Sequence, residues 1–236
     1  MAPKILPGDT ISTTPAPYPS KIIRLTGRHA IIVGISTDHA ADMYAATSGP
    51  SNEHVFTYMF DGPYSSVDEY AKTIETQAAD NVSIFYSVLL NNGQETAVGR
   101  MALFNIAPQN RSIEAGSILF SPRLQKTAAA TEAHYMLAKY VFELGYGRYE
   151  WKCNSLNHAS KRAADRLGFT YEGLFRQHMV QKGTSRDTWW GSMLNWEWED
   201  ENGEGIKRGF ETWLDRSNFD EHGRQRKKLE ECRKVK

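Results

Sequence analysis

The sequence is short of cysteine, of long apolar runs and of any excess of one charge, and each shortage excludes something. Two cysteines, Cys153 and Cys232, are too few and too far apart for a disulfide framework or a cysteine metal cluster. No metal site is expected. No apolar run approaches the ~18 residues of a membrane span, and "MAPKILPGDTISTTPAPYPS" has no apolar core of signal-peptide length. A cytoplasmic protein without a membrane partner is the expectation. Lysine plus arginine and aspartate plus glutamate each number 28. No net field therefore favours DNA or RNA, and the "EE" beside the tail's "RQRKK" weakens that basic run. No nucleic-acid partner is expected, and no internal repeat is apparent.

The 236 residues, 40% hydrophobic and 24% charged, fit one globular domain with extensions. Residues 1–20, rich in Pro, Thr and Ser, read as an extended arm. Residues 21–200 read as the domain, and 201–236 as a helical and basic extension built on the amphipathic "GFETWLDR". Within the domain, "HAIIVGIS" predicts a strand and "TDHAADMYAATSG" a short helix. "VDEYAKTIETQAAD" predicts a second helix, by the spacing of Tyr70, Ile74 and Ala78. Three strands with short links, at 83–90, 96–106 and 113–120, predict an antiparallel meander. A helix at helical apolar spacing (Ala133, Met136, Leu137, Tyr140, Val141, Leu144), a strand "RYEWKC", a helix "NHASKRAADRLGF" and a closing hairpin complete the order.

Between the third meander strand and the next helix stands "FSPRLQKTAAATEA". A helix start exposes unpaired N–H groups and the positive end of the helix dipole. Thr127, Ala128, Ala129 and Ala130 are small enough to admit a phosphate to the backbone, with Lys126 beside them. On its own the stretch reads first as an ordinary alanine-rich helix start. About ten residues past that helix, "KCNSLNHASKRAADRLGF" puts Asn157 at a strand end and a helix cap, followed by Ser160 and Arg162. Should the two preceding strands lie side by side, both helix starts open on one edge of the sheet.

Together these segments resemble the GCN5-related N-acetyltransferases, in the branch of the RimJ and RimL ribosomal-protein acetyltransferases. The family's acyl-CoA motif, Q/R-x-x-G-x-G/A, corresponds to Gln125-Lys-Thr-Ala128-Ala-Ala130. "EAGSILFSP", "ATEA", "Asn157-x-x-Ser160…Arg166-Leu167-Gly168-Phe169", "YEGLFRQ" and "RDTWWGSML" match further segments, so the resemblance runs from about 22 to 198. It implies an α/β (α+β) fold, with a mixed, mostly antiparallel sheet of about seven strands flanked by helices. It implies acetyl-CoA as cosubstrate, held by Leu119, Phe120, Gln125, Lys126, Thr127, Ala128, Ala129, Ala130, Thr131, Asn157, Ser160 and Arg162. Two departures stand out. Alanine occupies the loop's first glycine position, and Ala163 and Ala164 fill the neighbourhood where many members carry a tyrosine acid.

The reaction implied is direct transfer of acetyl to the primary amine of a small molecule or a peptide N-terminus, by a monomer or homodimer. The Leu119 amide would support the oxyanion. Glu114 is the first choice of base, set against a plain solvent-facing strand glutamate, with His178 as the second choice. Ser160 would serve the departing sulfur, or merely the first helical turn. Tyr58, Phe60, Tyr64, His178 and Trp189 are the expected acceptor-pocket residues, with core packing the competing role for the aromatics. A non-catalytic acyl-CoA-binding protein on the same fold is the alternative.

Overall fold

The structure is a computed structural model that describes residues 14–199 and 204–233. Most of the expected arm, residues 1–13, and the chain end from 234 lie outside the described residues. The centre is one eight-stranded sheet: β1 (Arg24–Thr26), β2 (Ala30–Gly34), β3 (Ile84–Leu90), β4 (Ala97–Ala107), β5 (Ser112–Phe120), β6 (Arg148–Asn154), β7 (Thr170–Gln181) and β8 (Thr184–Leu194). The spatial order is β1-β2-β3-β4-β5-β6-β8-β7. All neighbours run antiparallel except β5 and β6. The strand beyond the expected seven is β1, three residues long, paired to β2. Its length is too short for a periodic signal.

One face of the sheet carries α1 (Ala40–Thr47) and α2 (Val67–Ala79), packed on Ile31, Leu89, Ala97 and Leu119. The other carries α3 (Ala128–Glu143) and α4 (His158–Leu167). Helix α3 begins where the Thr127 hydroxyl accepts the Ala130 N–H. It buries Ala133, Leu137 and Val141 completely, each large side chain contributing roughly 1.5–3 kcal/mol. It stops at Gly145, whose φ of +88° suits a residue without Cβ. Glu132 fixes its lateral position: the buried carboxylate accepts the backbone N–H groups of Arg28, His29 and Ala30.

The chain closes with α5 (Asn195–Trp198), α6 (Ile206–Leu214) and α7 (Leu229–Cys232). The expected amphipathic segment is α6. Its Phe210 and Trp213, with Leu229 of α7, are buried in the same core as α3 and α4.

Candidate active site

The site is built where β5 and β6 part. The two parallel strands pair from Ser112↔Arg148 to Ala115↔Trp151, and no bridge joins them beyond. Residues 116–120 of β5 and 152–154 of β6 therefore flank a gap. A bulge at Ser117 begins the separation: Arg100↔Leu119 and Ala102↔Gly116 enclose one residue on β4 and two on β5, and Ser117 adopts φ +46°. The bulge breaks strict alternation along β5. Leu119, not Ile118 or Phe120, shares the face of Glu114 and Gly116.

The two helices that follow these strands both start at the gap. In the turn before α3, the Leu124 and Gln125 amides bond to the Ser121 carbonyl, the Gln125 side chain donates to the Phe120 carbonyl at 2.8 Å, and Lys126 turns left-handed at φ +62°. The helix-start amides ahead of Ala130 are free of capping side chains, and Gln125, Lys126, Thr127 and Ala128 reach the surface. At α4, the Asn157 side chain accepts the Ser160 amide at 3.0 Å. The Ser160 hydroxyl accepts the Trp151 indole N–H at 3.0 Å. A strand, a turn and a helix start, repeated on adjacent parallel strands, make a cleft suited to an extended, anionic ligand.

A family profile described as an acetyltransferase (GNAT) domain matches residues 30–170. The chain is also similar in structure to a GCN5-related N-acetyltransferase from Brucella melitensis: TM-score 0.87 and 38% identity, covering 93% of this chain and 97% of that one. The chain belongs to the GNAT acetyltransferase family. A probable GNAT-family acetyltransferase from Chromobacterium violaceum is similar with a TM-score of 0.75 and 32% identity, covering 84% of this chain and 99% of that one. The uncharacterised N-acetyltransferase YoaA of Bacillus subtilis is 28% identical over 142 residues, 58% of this chain and 79% of its own.

Against this GNAT frame each expected site residue has a definite place. Glu114 is not solvent-facing; it is 7% exposed. Its carboxylate accepts from Asn105 Nδ2 at 2.5 Å and Lys152 Nζ at 2.8 Å. Lys152 also bridges to Glu150 at 2.8 Å and sits 3.9 Å from the centre of the Trp190 ring. Glu150, Lys152 and Asn154 of β6 pair with Ser192, Trp190 and Thr188 of β8, so these side chains share the Glu114 face. Trp190, rather than Trp189, is the tryptophan on that face. Trp189 pairs with Cys153, packs toward the α3 core and stacks on Tyr171. His178 is exposed, and its Nδ1 lies 3.1 Å from the Thr188 hydroxyl.

The aromatic loop 58–64 divides by role. Tyr64 is structural: it stacks on Tyr70 at 4.2 Å and donates to Asp61 at 2.8 Å. Tyr58 donates to the Leu156 carbonyl at 3.0 Å, tying the loop to the segment before α4. Phe60 is exposed at 57% and covers Arg186. Of the remaining expected ligand contacts, Arg162 is exposed on α4. Thr131 is buried and accepts from Arg166 at 3.1 Å. Cys153 is buried, and burial pushes its thiol up despite Ser160 and Arg186 nearby. Among the described residues no group of His, Cys, Asp or Glu has metal-binding geometry.

Sequence reasoning missed His134. Its ring lies between Phe120 and Trp151, at 5.2 and 5.4 Å, so it floors the gap from α3. Burial, then the charge of Arg166, pushes its pKa down to about 3, which makes it a neutral imidazole near pH 7. The signal was present: residues 130, 134, 137 and 141 form one helical stripe.

Proposed function

We propose that the protein transfers acetyl from acetyl-CoA to a primary amine, and that the gap between β5 and β6 is the place of transfer. The single observation that carries this reading is the parting of two parallel strands directly before two helix starts. Acetyl-CoA supplies a thioester whose carbonyl is open to attack by a neutral amine. The amides at 126–129 and the Lys126 charge hold phosphate groups, and Ala128 keeps the approach to the backbone open. Asn157, Ser160 and Arg162 bind the other margin of the same ligand. His134, Phe120 and Trp151 exclude water from the floor of the gap.

The amine must give up a proton to react. Glu114 is the base, acting beside Lys152 from the face opposite α3. Lys152 offsets the cost of enclosing the carboxylate and orients it with Asn105. Ser160 keeps its own hydroxyl hydrogen while accepting from Trp151, so it is the donor available to the leaving sulfur, in a helix with no tyrosine at Ala163 or Ala164. The motif spelling supports a RimJ/RimL-like branch, and an amine on a small molecule or a peptide N-terminus is the acceptor class.

Labelled acetyl-CoA, offered with a panel of amines and N-terminal peptides, tests the reading. Acetylated product is expected, with Glu114→Gln lowering kcat about 10²–10⁴-fold while CoA affinity changes little. CoA binding without product from any acceptor would leave a binding protein only. Unchanged turnover in Glu114→Gln would remove that residue as the base.

A further inference from the structure

Arg186 takes no part in the chemistry above, and its surroundings are unusual. It alternates with Thr188, Trp190 and Ser192 along β8, the residues that pair with Asn154, Lys152 and Glu150 of β6. It therefore faces the side of Glu114. It is 7% exposed. Among the described residues its guanidinium makes no hydrogen bond and no ion pair, and its Nε is fully enclosed without a partner. Its contact is the Phe60 ring, 5.3 Å from the guanidinium carbon. An aromatic face attracts a cation but offers no acceptor for five N–H donors. Four residues along the strand, the Trp190 indole N–H is a second enclosed donor without a partner.

Burial lowers the Arg186 pKa, and the Glu114 carboxylate of β5 opposes this. The guanidinium thus lies within electrostatic reach of the β5 margin of the gap. Glu114 is already committed to Asn105 and Lys152. A cation this buried, with no counter-ion, is costly to the folded protein. Arginine's planar fork matches a carboxylate through two parallel hydrogen bonds.

We infer that the acceptor amine carries a carboxylate, and that Arg186 binds this carboxylate beside the gap with Phe60 as its cover. The amine end of the inference rests on the acetyl-transfer reading; the carboxylate site rests on Arg186. Free amino acids and acidic side chains near a peptide amino terminus share this chemistry.

The test titrates the CoA-bound protein with glycine, β-alanine, γ-aminobutyrate and L-glutamate, each beside its carboxamide, and with short peptides having glutamate or glutamine next to the amino terminus. Tryptophan fluorescence and calorimetry read binding. At least one acid should bind ten-fold or more tighter than its amide, and the preference should vanish in Arg186→Gln and weaken in Arg186→Lys. Whether the preferred acid is free or peptide-borne identifies the source. Arg186→Gln should melt at or above the wild-type temperature, since it removes an unpaired buried charge, whereas Arg186→Lys keeps that charge and should gain no stability. Equal binding of acids and amides, binding of none of the acids, or a preference that survives Arg186→Gln would overturn the inference. Acetylation of amines without preference would overturn it while leaving the transferase reading intact. Arg186-dependent acid binding without product would do the reverse.

Discussion

Arg100 and Arg186 are two buried arginines on one face of one sheet; each has an enclosed Nε without a partner, and they differ in the counter-ion. Arg100 is 1% exposed and reaches both carboxylate oxygens of Asp61, at 2.7 and 2.6 Å. Burial works to raise the Asp61 carboxyl, but the Arg100 charge and the hydrogen bonds from Arg100 and Tyr64 outweigh it and hold it below its ordinary value. Lys182 then donates to the carbonyls of Phe56 and Gly62 in the same loop, at 3.1 and 2.9 Å. Arg186 has the ring of Phe60, two residues before Gly62, and no anion. The first arginine brings the 56–64 loop to the sheet. The second waits under that loop. A counter-ion supplied by the chain marks architecture, and one left to be supplied from outside marks a binding site.

The largest effect expected from breaking this contrast is on the paired side. Asp61→Asn leaves Arg100 enclosed without its carboxylate and should cost about 3–5 kcal/mol of stability by urea denaturation. Adding Arg100→Met should recover most of that loss, because the pair is then replaced rather than broken. A loss below about 1 kcal/mol for Asp61→Asn would make Arg100 no different from Arg186. On the unpaired side, Arg186→Met should leave stability within about 1 kcal/mol of wild type or raise it.

The acid limb tests a different buried group. The folded-state pKa of His134 is depressed to about 3, so between roughly pH 6.5 and 3 the unfolded chain binds more protons at this residue. Stability should fall as pH drops through that window. Replacing His134 with glutamine should flatten the fall, as seen in melting temperatures at successive pH values. Parallel pH curves for the two proteins would show that the His134 ring is not held neutral at the gap.

The contrast also explains what the sequence could and could not disclose. Short apolar runs such as "SIFYSVLL" and the stripe through Leu137 and Val141 declare strands and helices, because burial of both strand faces, or of one helix face, imposes the pattern. The helix start after Phe120 is legible for a similar reason: small side chains and a capping threonine are local chemistry. The bulge at Ser117 leaves no such trace. A left-handed serine looks like any other in sequence, yet it moves Leu119 onto the Glu114 face. Nor does "RDTWWGSML" tell whether its arginine is paired. That depends on Phe60 and on residue pairs over 100 positions away, such as Gln181 with Tyr58. Glu114 reads as a strand carboxylate from sequence, but Lys152, 38 residues on, is what makes its burial tolerable. Local order is written locally; counter-ions are set by topology.

Retention of acetyl-CoA at the gap and its helix starts, as proposed, is tested by the affinity for acetyl-CoA of wild type and Ala128→Glu. Ala128 suits this better than Ala130, because Ala130 is buried in the core. Glutamate in the first turn of α3 complements the helix dipole, so melting should not suffer, whereas its charge and bulk oppose a phosphate at the same amides. Calorimetry should show acetyl-CoA binding to wild type and at least about a tenfold loss in the variant, on the order of 1.4 kcal/mol, at an unchanged melting temperature. Equal affinity in both proteins, or no binding by wild type, would contradict a cosubstrate site at these amides.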